Sequence, residues 1–210
     1  MTVVDHLDFA IGEGEAVALT GPSGCGKTTA VLCMLRLLEP DEGSICFDGQ
    51  DLRRLSPKPL RHIRASVQIL FQDAYASLNP LMSLSQLVEE PLLIHKLMNG
   101  ETRRRAVMAM LERVGIESAV FNRRPSEVSI GQCQRAALAR ALILSPRLVV
   151  LDEPTAALDT ISRRLVIDLL RERAQEGTSA SLVVSHDPEV VRTLASRIAI
   201  MNNGRIANWK

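Results

Sequence analysis

Residues Gly21-Pro22-Ser23-Gly24-Cys25-Gly26-Lys27-Thr28-Thr29 constrain this chain more than any other stretch. They read G-x-x-x-x-G-K-T, a phosphate-binding P-loop pattern. The apolar run Ala16 to Leu19 before them has strand character. Ala30 to Leu38 after them has helical spacing at Val31, Leu32, Leu35 and Leu38. Strand, glycine loop and helix in that order separate a phosphate site from a glycine-rich turn before an ordinary helix. Glycines let the backbone curl until its N–H groups converge on phosphate oxygens, and the helix N-terminus adds roughly half a positive charge there. Lys27 supplies a full charge for the β- and γ-phosphates, and Thr28 a hydroxyl for Mg²⁺.

The rest of the chain alternates strands with helices, which implies a mostly parallel sheet covered on both faces. Residues 3–19 read as two short strands around Gly12-Glu13-Gly14-Glu15, with Phe9 and Ile11 on a half-buried face. The helix after the P-loop is expected to stop at Glu39-Pro40-Asp41-Glu42-Gly43. Ser44 to Phe47 reads as a strand closed by Asp48-Gly49. A polar, proline-broken stretch around Ser56-Pro57-Lys58-Pro59 leads to a strand over Ala65 to Phe71. Residues 83–121 show only helical spacing, interrupted at Pro91, with a second helix over Thr102 to Val114. Ser129 is a plausible N-cap for a helix from about Cys133 to Leu144. Leu148 to Leu151 and Leu182 to Val184 are continuous apolar runs, the mark of strands buried on both faces. Asp187-Pro188 opens a last helix, and Ile198 to Ala207 reads as a hairpin around Asn202-Asn203-Gly204.

Three strand ends carry polar side chains suited to nucleotide chemistry. Asp152 and Glu153 close the run Leu148 to Leu151: Asp152 would hold Mg²⁺, and Glu153 would take a proton from an attacking water. Alone, the pair reads equally well as solvated loop acids. His186 ends another strand, where it could bond a γ-phosphate or the water. Gln72 follows a third and could reach both metal and water, although by itself it would be an ordinary surface amide.

Composition excludes some classes. The 210 residues carry a net charge of +1 and 3% aromatics, against a nucleic-acid-coating or base-stacking surface. Arg103–Arg105, Arg123-Arg124 and Arg163-Arg164 read as solvated helix faces. Cys25, Cys33, Cys46 and Cys133 match neither a zinc site nor a disulfide framework. No apolar run approaches the roughly 20 residues needed to span a bilayer, and Met1 to His6 does not read as a secretion signal.

Taken in order, these features resemble the ATP-binding cassette (ABC) ATPases that drive ABC transporters. The match comprises the P-loop, Gln72, the signature Val128-Ser129-Ile130-Gly131-Gln132, the run Leu148 to Asp152 with Glu153, Ala157-Leu158-Asp159, and His186. The resemblance implies an α/β P-loop NTPase fold of RecA-like type, a mostly parallel core with antiparallel N-terminal strands and an inserted helical subdomain. One domain would cover residues 1–210, with 1–75 and 135–210 as core and 76–134 as the helical insert carrying the signature. It implies ATP and Mg²⁺, with Gly21 to Thr29, Ser129, Gly131, Gln132 and Asp159 binding nucleotide. Thr28, Gln72 and Asp152 would serve the metal; Glu153, His186 and Gln72 would be catalytic.

It further implies a head-to-tail dimer, identical or mixed, in which Ser129, Gly131 and Gln132 act on the partner's γ-phosphate. Phe71 to Pro80 and Val88 to Leu92 are similar to the oligopeptide, dipeptide and nickel importer branch. That implies transmembrane permease subunits docked through Gln72 to Pro91, a solute-binding protein acting indirectly, no nucleic acid, and a peripheral place on the cytoplasmic side of the inner membrane. The reaction would be ATP hydrolysis driving import of a peptide or a nickel or metal-chelate solute. The alternatives are a soluble ABC-type ATPase and a weakly hydrolysing nucleotide-binding regulatory subunit.

Two departures stand out. Ile130 replaces the first signature glycine and adds bulk where the partner's phosphate would arrive. No Tyr or Trp precedes Gly21 to stack on adenine, so the expectation is weak adenine binding or a longer natural N-terminus. The C-terminal extension usual in the peptide-importer branch is not within these 210 residues.

Overall fold

A computed structural model describes residues 2–177 and 179–210. Its main sheet contains β1 (Ala16–Thr20), β4 (Val67–Leu70), β5 (Leu148–Asp152), β6 (Ala180–Val184), β7 (Arg197–Asn202) and β8 (Arg205–Trp209). The spatial order is β4-β5-β6-β1-β7-β8, parallel throughout except for β8, which returns antiparallel to β7. A separate hairpin pairs β2 (Cys46–Phe47) with β3 (Gln50–Asp51). The helices are α1 (Lys27–Met34), α2 (Pro57–Ser66), α3 (Leu84–Ile94), α4 (Gly100–Arg113), α5 (Ile130–Leu142), α6 (Thr160–Gln175) and α7 (Pro188–Leu194). No helix among the described residues is long and apolar enough to cross a membrane.

The central strands are buried on both faces, and their side chains alternate between two cores. Val149, Leu151 and Val183 join a cluster with α3, α5 and α6; Val17, Leu19, Val150 and Leu182 join one with Ala30 and Val31 of α1. Between β4 and β5 the described chain is all helix and turn, as expected for residues 83–121. This insert has no core of its own. Leu84, Leu87, Val88 and Leu92 of α3 belong to the same cluster as Leu138 and Leu142 of α5 and the sheet residues above. The helical insert is therefore anchored to the strand that ends in Asp152.

Four local expectations are corrected. Only the second of the two N-terminal strands forms, as β1. Phe9 and Ile11 pack on the second core but make no ladder; antiparallel pairing is found instead at β2–β3 and β7–β8. Helix α1 ends at Met34, short of Pro40. Arg36 turns left-handed (φ 48) and its guanidinium donates to the Leu52 and Leu55 carbonyls at 2.6 and 2.7 Å, a long-range tie that ends the helix. The stretch around Pro57 and Pro59 is a helix, α2, because both prolines sit in its first turn, where no intrahelical N–H bond is lost. Helix α3 runs through Pro91, which is buried together with Leu87 and Val88; packing outweighs the one missing bond.

Candidate nucleotide site

Strand β1 delivers the chain to the P-loop at the carboxyl end of the sheet, where parallel sheets place ligands. Gly26 is the N-cap of α1 in a left-handed conformation (φ 104). A Cβ there would lie 2.8 Å from the Val3 carbonyl oxygen, so only glycine fits. No side chain caps α1, so its first-turn N–H groups remain available to an anion. Lys27 Nζ donates to the Gly21 and Pro22 carbonyls, each at 2.9 Å, and lies 3.9 Å from Cys25 Sγ. The ammonium therefore bridges the mouth of the loop. Pro22, Ser23, Gly24 and Thr28 are exposed, Gly21, Lys27 and Thr29 half-buried, Cys25 and Gly26 buried.

The acids at the end of β5 divide in role. Asp152 is buried, 4% exposed, and lies beside the Thr28 side chain. Burial pushes its carboxyl above the usual range and the Glu153 charge adds to this, while the Lys27 charge and the nearby Thr28 hydroxyl oppose it. Glu153 turns left-handed (φ 49) and its amide donates to the Val184 carbonyl at 2.8 Å. Its carboxylate accepts from Ser185 Oγ and from the His186 amide, both at 3.1 Å, and meets His186 Nδ1 at 2.6 Å. An ionised carboxylate only accepts, so the Nδ1 proton sits between the two groups. The imidazole itself is largely exposed. Lys27, Thr28, Asp152, Glu153 and His186 thus converge from α1, β5 and the end of β6. Ser185 was not singled out from the sequence; a hydroxyl just before a strand-end histidine was its only signal.

The remaining predicted residues lie apart from this centre. Ser129 and Gln132 satisfy each other across the first turn of α5: the Gln132 amide donates to Ser129 Oγ at 3.1 Å, and Gln132 Oε1 accepts from the Ser129 amide at 2.8 Å. Ile130 beside them is 65% exposed, and Gly131 lies under Ala157 and Leu158. Asp159 caps α6, accepting from the Ile161 and Ser162 amides and from Ser162 Oγ; those hydrogen bonds hold its carboxyl below the usual range. Gln72 is exposed and lines an open cleft of about 270 Å³ with Tyr75, Ile130, Gln134 and Ala157. No hydrogen bond links it to Thr28 or Asp152 among the described residues. The described residues also contain no group of three or more His, Cys, Asp or Glu placed to hold a metal ion. One buried carboxylate beside one hydroxyl fits Mg²⁺, which takes most of its ligands from water and substrate phosphates. Sequence reasoning also missed two buried or half-buried polar residues of α5, Gln134 and Arg140.

An open parallel sheet, an uncapped glycine loop spanned by a lysine, and a buried aspartate beside the hydroxyl after that lysine define a P-loop nucleotide-binding protein. The family follows from comparison: the ABC transporter family model (ABC_tran) matches residues 4–156, and the chain belongs to that family. It is 41% identical to the oligopeptide transport ATP-binding protein AppF of Bacillus subtilis (strain 168), over 97% of this chain and 62% of that protein. It is 37% identical to the oligopeptide transport ATP-binding protein OppF of Escherichia coli (strain K12), over 97% and 61%. With the glutathione import ATP-binding protein GsiA of Pectobacterium atrosepticum the figures are 40% identity over 97% and 33%. The chain thus spans between a third and three-fifths of these relatives' lengths. Among solved structures, the dimeric post-hydrolysis state of the ATP-binding cassette MJ0796 bound to ADP and Pi superposes with a TM-score of 0.92 at 32% identity, covering 99% of this chain and 90% of that one.

Proposed function

We propose that the chain is the ATP-hydrolysing subunit of an importer for peptides or similarly sized solutes. The observation that carries this reading is the convergence of Lys27, Asp152 and Glu153, with Glu153 held by Ser185 and His186. The P-loop amides and Lys27 bind the triphosphate; Thr28 and Asp152, joined by Gln72 if its loop swings inward, hold Mg²⁺, which neutralises phosphate charge when bound. Glu153 takes the proton of the attacking water, and His186 orients water or γ-phosphate through its exposed ring. Ser129, Gly131 and Gln132 address the partner's nucleotide in a head-to-tail dimer, with Asp159 at the same junction. The dimeric MJ0796 cassette and the transport names of the relatives support this assembly. Residues 72–91 dock membrane permeases on the cytoplasmic face, and a solute-binding protein delivers cargo to them. Oligopeptide and glutathione relatives favour a peptide over a nickel chelate.

A slower variant of the same reading has its own support. Ile130 projects from the N-terminus of α5, 65% exposed, where a glycine would leave room for a phosphate. The test is steady-state ATPase of the purified chain beside Glu153→Gln. The base assignment expects turnover to fall at least about 10²-fold in the variant; equal rates would remove Glu153 from the chemistry.

A further inference from the structure

Gln134 lies in the second turn of α5 and is 2% exposed, a primary amide inside an otherwise apolar helix face. A buried amide of this kind is costly unless its groups are bonded. Its Nε2 donates to the Glu153 carbonyl at 3.1 Å, and its Oε1 accepts from the Ala157 amide at 3.1 Å. The backbone between those two points is a tight turn that opens with Glu153 at φ 49, a conformation costly for a residue with a side chain. The turn's own bond, Ala156 N–H to the Glu153 carbonyl, is long at 3.3 Å. One side chain from another element therefore grips both ends of the strained turn that aims the Glu153 carboxylate.

The helix that supplies it begins at Ser129 and Gln132, and the amide also forms part of the cleft wall shared with Gln72 and Ile130. We infer that Gln134 is a positioning residue: it fixes Glu153 in its reactive geometry and makes that geometry depend on where the first turn of α5 sits. Releasing the turn lets φ at Glu153 relax, which swings the carboxylate away from Ser185 and His186. Nucleotide grip does not pass through Gln134, because Lys27 and the P-loop make no bond to it. The inference rests on Glu153 acting as the base.

The experiment measures kcat and Mg-ATP affinity for the wild-type chain, Gln134→Leu, Gln134→Glu and Glu153→Gln, with melting temperatures alongside. Gln134→Leu removes both bonds at similar volume; Gln134→Glu keeps the acceptor for Ala157 and loses the donor. The expected result is a kcat lower by about 10- to 10²-fold for Gln134→Leu, a smaller loss for Gln134→Glu, and an ATP Kd within about twofold of wild type in both. If Gln134→Leu does not fold, Gln134→Glu carries the same split. Unchanged kcat in the Gln134 variants, with Glu153→Gln inactive, overturns the inference and leaves the base intact. Parallel losses of affinity, turnover and melting temperature also overturn it, because they mark a core residue. Full turnover in Glu153→Gln removes the base and the inference with it.

Discussion

Two glycines in matched hairpin turns offer a controlled test of how the P-loop is braced. Asn203-Gly204 and Asp48-Gly49 each have two residues in the left-handed region, with φ of 46 and 79 in the first turn and 52 and 75 in the second. A Cβ on Gly49 meets nothing within 4 Å, whereas one on Gly204 would sit 2.5 Å from the Val3 carbonyl oxygen. Gly204 also donates to the Cys25 carbonyl at 3.0 Å and accepts from the Asp5 amide at 2.9 Å, tying the β7–β8 turn to both the P-loop and the N-terminal segment. Alanine at either position costs about 1–2 kcal/mol for the left-handed backbone. At Gly204 the displaced Val3 backbone adds about 1–3 kcal/mol, as overpacking does. At roughly 2–4 °C per kcal/mol for a chain of this size, Gly49→Ala should lower Tm by about 4 °C and Gly204→Ala by about 10 °C. Only Gly204→Ala should also weaken Mg-ATP binding, because its shift reaches Cys25. Thermal melting and nucleotide titration of both variants decide this. Equal Tm losses, or a larger loss at Gly204 with ATP affinity untouched, would refute the brace.

Two further outcomes follow from the site. Arg140 in α5 donates to the Ser77 carbonyl at 2.9 Å and to Ser77 Oγ at 3.2 Å, fastening the turn after Gln72 to that helix. Arg140→Met should lower Tm by about 5 °C, from the roughly 1.5–3 kcal/mol of a charge-assisted bond, and an unchanged melt would show the tie to be idle. Asp152 titrates above its ordinary value, so the folded protein holds that proton more tightly than the unfolded chain does. Its ionised form therefore costs stability, fully above the folded-state pKa, and the cost is relieved as pH falls through that pKa. Asp152→Asn should thus melt higher than wild type at pH 7 and lose the difference in acid, while Mg-dependent ATPase disappears; a lower melt at pH 7 would contradict the burial argument.

Features coded by local pattern were legible in the sequence. The apolar runs at Leu148 to Leu151 and Leu182 to Val184, the Asp187-Pro188 start and the Asn203-Gly204 turn are local signals, and each is found where the pattern puts it. What escaped depended on distant partners. Arg36 ends α1 through carbonyls 16 and 19 residues away, and Pro91 survives inside α3 because it is buried on the helix face it shares with Leu87, Val88 and Leu92. Phe9 and Ile11 alternate as a strand would, yet residues 2–14 form no strand; side-chain packing and isolated backbone bonds, such as the Asp5 amide to the Gly204 carbonyl, hold them. At the site, the P-loop and strand-end acids announce themselves by residue type. Gln134 and Ser185 act through contacts to residue 153 that lie 19 and 32 positions apart, which no spacing rule encodes.

The central claim is that main-chain amides and one lysine grip a triphosphate at the start of α1. Mg-ATP titration of the wild-type chain and of Lys27→Ala tests it directly. Lys27 alone is expected to contribute about 10- to 10²-fold in Kd, the equivalent of one charge-assisted contact. Wild-type affinity in the variant would contradict the claim.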